Sequence, residues 1–399
     1  MKSPLLKLIL INLGVTAGLL FTLNFLANLV QLVGAQVIDI MGWEGGVEEV
    51  VEDQNLAELP NYQGRRDEMY RHFRETLRIP VVYEPSVGWT REPFEGKTIT
   101  IDAQGNRVHQ PLPASAQTSK PKVYIFGGST VWGTGATDNE TLPAFYQKFS
   151  DLPTVNKGET GYISRQSLAS FVNLLSTKEP MDAVIFYEGV NDVQYSCRAE
   201  LKVNEHGRTA VFRSRLRQKK SSRSEAEDFK DYLNALFLGG IQDLGVDIVD
   251  SINDARPTKR KDDSMICDND PERARQVAET LLSNWEIAHA LAQTRGIQFL
   301  AVLQPVAYMG QPKLDHINDD LDDQFGKQYQ AVYPILQQLI RERNYDWIVD
   351  YTDLLSRDEY IYIDFCHVSP NGNEILARRL VQDTRSRWMR NEAAPSGRS

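Results

Sequence analysis

The feature that most constrains the fold is an alternation that begins at residue 122. Short apolar runs at 123–126 (VYIF), 183–187 (AVIFY), 297–303 (IQFLAVL) and 347–349 (WIV), with a shorter one at 154–156 (TVN), take turns with helical patterns. Helical spacing covers 142–149, 164–176, 273–295, 325–343 and 370–389. A strand that is apolar at successive positions is buried on both faces, and a helix between strands provides the crossover that parallel pairing requires. The expected fold is α/β, a parallel sheet covered on both faces by helices. Ligands of such sheets bind beyond the carboxyl ends of the strands, so the residues directly after each apolar run carry the functional reading.

After the first run comes FGGSTVWG at 126–133. Gly127 and Gly128 let the chain bend sharply and place Ser129 at the strand's end. Such a turn can also cradle a phosphate, but no lysine follows as in a P-loop. After the second run, VNKGETGY (155–162) offers the backbone N–H groups of Gly158 and Gly161. After the third, EGVND (188–192) puts the amide of Asn191 at the same sheet edge, with Asp192 read as a turn or structural acid. Near the C-terminus, DFCHVSPNGNE (364–374) sets Asp364 three residues before His367, close enough to accept its hydrogen bond and fix its tautomer. The other five histidines, at 72, 109, 206, 289 and 316, have no comparable setting and are read as surface or core. Ser129, His367 and Asp364 thus supply a nucleophile, a general base and an orienting acid. Ser369 and Pro370 are placed to cap and begin the last helix.

In their joint order these pieces resemble the SGNH hydrolase superfamily, the GDSL-like esterases, whose sequence blocks each stand at the end of a strand. The resemblance covers about 122–199 and 271–390 and implies a role for each matching residue. Ser129 matches the nucleophile. Gly161, at the end of the Asn-x-x-x-x-Gly pattern from Asn156, and Asn191, in Gly-x-Asn-Asp, match the oxyanion donors, beside the Ser129 N–H itself. Asp364 and His367 match the closing Asp-x-x-His. The resemblance also implies a three-layer, flavodoxin-like sheet of order 2-1-3-4-5. One departure is plain: the family's Gly-Asp-Ser is Gly-Gly-Ser here.

The rest of the chain sets the surroundings. From Leu8 to Val30 no residue is charged, Lys2 and Lys7 precede the run, and the next basic residue is Arg65. That length spans a bilayer, and the charge bias keeps the N-terminus inside and exports the remainder. Val33-Gly34-Ala35 resembles a signal-peptidase site, but the run is long for a signal h-region. The expected organisation is a membrane anchor at 1–34, a stalk and extension at 35–120 with a linker at 113–121, the hydrolase-like domain at 121–390 with an insertion at about 196–270, and a disordered tail at 391–399. Cys197 and Cys267 bracket the insertion. With three cysteines, three pairings are open and one thiol is left over, and Cys366 is read as a small buried residue.

A net charge of −10 argues against nucleic acid, which needs a positive field. No cofactor or metal is called for, and the acidic run 315–323 lacks the glycine and closing glutamate of a calcium loop. The partners expected are an acylated saccharide or lipid and, through the N-terminal helix, a membrane. Trp89, Trp132 and Tyr162 are compatible with a sugar. With water as acceptor the site makes an esterase. With a sugar hydroxyl it makes an O-acetyltransferase, and a non-catalytic binding or assembly factor would have no use for Ser129, Asp364 and His367 together.

Overall fold

A computed structural model describes residues 56–177, 179–209, 212, 264–317 and 321–393. The expected anchor and most of the insertion, including 229–238 where the residue spacing predicts a helical piece, lie outside the described residues. Among the described residues no helix is long and apolar enough to cross a membrane. One compact unit holds Glu49–Gly207 and Asp263–Ser399 and carries the whole of the sheet. A second, Met1–Glu48 with Arg208–Asp262, is represented only by residues 208, 209 and 212.

Among its described residues the extension carries a short 3-10 turn (Pro60–Tyr62) and helix α1 (Arg66–Arg78), followed by two antiparallel hairpins, β1 (Val81–Glu84) with β2 (Gly88–Arg91) and β3 (Phe94–Glu95) with β4 (Thr100–Ile101). The alternation at 98–101 predicts a longer strand. It is cut short because the N–H groups of Lys97, Thr98 and Ile99 donate to the Glu75 carboxylate at 2.8, 2.8 and 3.2 Å instead of to a neighbouring strand. The stretch expected as a linker contains helix α2 (Ala114–Ser119). Pro113 lacks an N–H but its carbonyl accepts from Ala116, so it can stand directly before the first turn.

Five parallel strands follow: β5 (Val123–Gly127), β6 (Thr154–Gly158), β7 (Ala183–Glu188), β8 (Gln298–Leu303) and β9 (Ile348–Asp350). Their order is β6-β5-β7-β8-β9, which is 2-1-3-4-5 counted within the sheet. The connecting helices are α3 (Ser129–Trp132), α4 (Leu142–Ser150), α5 (Ser164–Thr177), α6 (Val190–Ser196), α7 (Pro271–Arg295), α8 (Asp323–Arg343) and α9 (Pro370–Ala393). Every residue of β5 and β7 is buried, and the two-residue period sorts them by face. Tyr124, Phe126, Val184, Phe186 and Leu303 pack under α5, α7 and α8. Val123, Ile125, Ile185, Tyr187 and Val302 pack under α4 and α9. Helix α9 continues to Ala393, into the segment expected as a tail.

From residue 56 onward the extension is part of the same unit as the sheet and packs against it. Tyr62 donates to the Gly135 carbonyl at 2.8 Å. Fully buried Arg107 donates to the carbonyls of Gly133 and Ala136, each at 2.6 Å, and lies 4.6 Å over the Trp132 ring. The feet of the insertion are joined as well. Cys197 and Cys267 form a disulfide, and Ile266 donates to the Cys197 carbonyl at 2.9 Å.

Candidate active site

Strand β5 delivers Ser129 to the carboxyl edge of the sheet as the first residue of α3, where helix geometry leaves its N–H without an intrahelical acceptor. The short helix is held by Asn156 on neighbouring β6, whose amide donates to the Val131 carbonyl at 3.0 Å.

Asp364 and His367 sit at the tip of a tight loop between β9 and α9. The loop is closed by the antiparallel bridge Tyr362–Val368 and by the N–H of Ile363 donating to the His367 carbonyl at 3.0 Å. Within it, Asp364 Oδ1 accepts from the N–H groups of Cys366 and His367 at 2.8 and 2.7 Å. That turn brings Oδ2 to 2.5 Å from His367 Nδ1. The opposite ring nitrogen, Nε2, is 2.7 Å from Ser129 Oγ. Desolvation pushes the Asp364 carboxyl up, but the His367 charge and hydrogen bond and the two loop N–H groups outweigh it and hold it below the usual carboxylate range. The His367 side chain is 16% exposed, so the relay is open to a ligand.

The other two named residues lie at the same edge. Gly158 is set apart from Gly161 by its partner: its N–H donates to Asn156 Oδ1 at 2.9 Å. Gly161 stands in the turn after β6 in the left-handed region (φ 75°), which favours glycine. The Asn191 amide donates to the carbonyl of the next residue, Tyr162, at 2.8 Å, and an amide has a second hydrogen to offer. A Cβ on Gly128 would lie 2.5 Å from Asn191 Nδ2. Gly128 therefore leaves room for the Asn191 amide one residue before Ser129.

Asp192 behaves as a structural acid, accepting from the Ser164 hydroxyl at 2.6 Å and the Ser164 N–H at 3.1 Å. Beside it, Glu188 is buried and accepts from the Trp285 indole at 2.7 Å. Cys366 is free and buried, and burial, followed by the charge of Asp364, pushes its thiol well up, away from the thiolate form a nucleophile needs. Ligand atoms of Asp364, Cys366 and His367 lie within 4.8 Å of one another. The closest pair, Oδ2 and Nδ1 at 2.5 Å, is a hydrogen bond and leaves no space for an ion between its atoms.

Two sequence readings are corrected. Trp89, Trp132 and Tyr162 are 2%, 0% and 7% exposed, so none offers a ring face for a sugar to stack on. Ser369 Oγ makes no hydrogen bond among the described residues, and α9 starts instead with Asn373 donating to the Ser369 backbone carbonyl. Sequence reading also passed over Arg91 and Glu159, a buried ion pair at 2.9 Å beside the Gly161 turn. Their only signal is one charge in a hairpin and another after a strand.

No family model matches the chain, and no curated protein matches it. Solved structures do. A lipolytic protein of the G-D-S-L family from Veillonella parvula is 14% identical, with 67% of this chain and 98% of that one covered at a TM-score of 0.35. A carbohydrate acetylesterase from Sinorhizobium meliloti is 12% identical, with 67% and 99% covered at 0.35. An inhibitor-bound aryl esterase of M. smegmatis is 13% identical, with 67% and 99% covered, also at 0.35. Likeness at this level assigns neither residue nor substrate.

Proposed function

We propose that this chain is a serine ester hydrolase. The observation that carries the reading is the continuous relay Ser129 Oγ, His367 Nε2, His367 Nδ1, Asp364 Oδ2, with contacts of 2.7 and 2.5 Å. In the proposed reaction His367 takes the Ser129 proton as Oγ bonds to the ester carbonyl carbon. The carbonyl oxygen becomes an oxyanion, met by the N–H groups of Ser129 and Gly161 and the Asn191 amide. The C–O bond to the alcohol breaks and the alcohol leaves with the proton from His367. Water then attacks the acyl-serine, again giving a proton to His367; the bond from the acyl carbon to Ser129 Oγ breaks, Oγ takes the proton back from His367, and the acid departs.

The substrate class proposed is an acyl, in particular O-acetyl, ester of a saccharide or lipid. Two features support a site on the exported side of a membrane: the uncharged run 8–30 behind two lysines, and the Cys197–Cys267 disulfide, a bond typical of oxidising compartments.

The test is p-nitrophenyl acetate hydrolysis by the full chain in detergent. Wild type is expected to turn over and to be labelled at Ser129 by a serine-directed phosphonate. Ser129→Ala and His367→Ala are each expected to lose at least about a thousandfold in kcat/KM while keeping the wild-type circular dichroism spectrum. Equal activity in wild type and folded Ser129→Ala would end this reading.

A further inference from the structure

The turn that carries Gly161 is held to a large extent by a segment some 70 residues earlier in the chain. The Trp89 indole donates to the Thr160 carbonyl at 3.1 Å. Arg91 Nε donates to Glu159 Oε1 at 2.9 Å and Nη2 to Thr160 Oγ1 at 2.6 Å. The Tyr162 hydroxyl donates to the Trp89 carbonyl, and just beyond the turn the Gln166 amide donates to the Val87 carbonyl at 2.9 Å. Side chains of the Arg91–Glu159 pair are only 7% and 5% exposed. Arg91 also donates to the Ile79 carbonyl at 3.3 Å and lies 5.1 Å over Trp132, in the helix that begins with Ser129. The turn passes this hold on, because the Tyr162 carbonyl is the acceptor for the Asn191 amide. Gly161 and Asn191, the two donors assigned outside the serine helix, thus depend on one turn, and hairpin β1–β2 fixes that turn.

We propose that hairpin β1–β2 is a positioning element for the reaction, with Arg91 and Trp89 setting the place of Gly161 and Asn191. This rests on the ester-hydrolase reading. Arg91 and Trp89 do not touch the reacting atoms in this scheme; they act through the turn. The physical ground is that preorganised donors count only where the oxyanion forms, and a displacement of about 1 Å can cost about a hundredfold in rate. A guanidinium suits the task because its rigid fork reaches Glu159, Thr160 and Ile79 at once, and an ammonium cannot.

The test compares the full chain in detergent as wild type, Arg91→Lys and Trp89→Phe. Hydrogen exchange by mass spectrometry follows peptides covering 158–164, with β5 as reference. Both variants are expected to speed exchange over 158–164 by at least about tenfold while β5 is unchanged. With p-nitrophenyl acetate, kcat is expected to fall at least about tenfold in Arg91→Lys and about threefold in Trp89→Phe, KM moving less than about twofold. Unchanged exchange in the folded variants overturns the hold. Faster exchange with wild-type kcat overturns the positioning role. If Arg91→Lys does not fold, Trp89→Phe carries both readouts, since an aromatic ring stays in the site while the indole N–H bond to the Thr160 carbonyl is lost. A wild type with neither turnover nor phosphonate labelling at Ser129 fails the hydrolase reading itself, and the role in the reaction falls with it, while exchange still decides the hold.

Discussion

Gly128 shows how much one absent side chain can settle. A methyl group there would meet the Asn191 amide at 2.5 Å and has to push it away, at the expense of its bond to the Tyr162 carbonyl. Gly128→Ala is therefore expected to fold, to keep KM within about twofold, and to lose about ten- to a hundredfold in kcat through the displaced amide. Steady-state kinetics beside Asn191→Ala would check this, and wild-type kcat in a folded Gly128→Ala would show that Asn191 does not work from this position. Ser129, Asp364 and His367 were legible in the sequence because their types are chemically particular and their spacing is local: a serine in a glycine turn, an acid three residues before a histidine. Arg91 and Glu159 were not. They are 68 positions apart, and charged residues are nearly always read as solvated until burial is known.

Among the elements, the sheet strands and long helices were legible to within a few residues, since β5 and β7 are buried on both faces and so read as unbroken apolar runs. The extension was harder. Its hairpins are short, and Glu75 takes the N–H groups that a longer strand would have used. The junction of β7 and α6 buries two carboxyl groups, Glu188 and Asp192, close together. Burial, then the charge of Asp192, raises Glu188 above the ordinary glutamate range, and burial raises Asp192 as well. The fold then keeps a proton that the unfolded chain has already released. The stabilisation this gives is complete below the unfolded value and is lost as pH rises through the raised, folded one. Glu188→Gln is thus expected to flatten the fall in stability between about pH 5 and pH 9, leaving the share due to Asp192. Urea midpoints across that range would read it, and a slope as steep as wild type would remove Glu188 from the account.

At the scale of the whole molecule, the disulfide joins residues 70 positions apart, at the two feet of the insertion. Closing a loop of that size removes unfolded-state entropy worth about 4 kcal/mol on the chain-entropy account. Cys197→Ser with Cys267→Ser is expected to lower unfolding stability by about 2–5 kcal/mol. Denaturant titration of the double variant would test this, and a loss below about 1 kcal/mol would assign the joining of the feet to their hydrogen bonds instead. The same bridge bears on how a chain like this can change over generations. With the crosslink formed, the interval between Cys197 and Cys267 is a ring in the unfolded chain as well as in the folded one, so its closure entropy cancels between the two states. Without it, each doubling of the interval would cost about 0.6 kcal/mol. With it, that entropy is no longer set against the sheet that presents Ser129 and His367, so on this account a change in the length of the interval leaves the stability of the sheet almost unchanged.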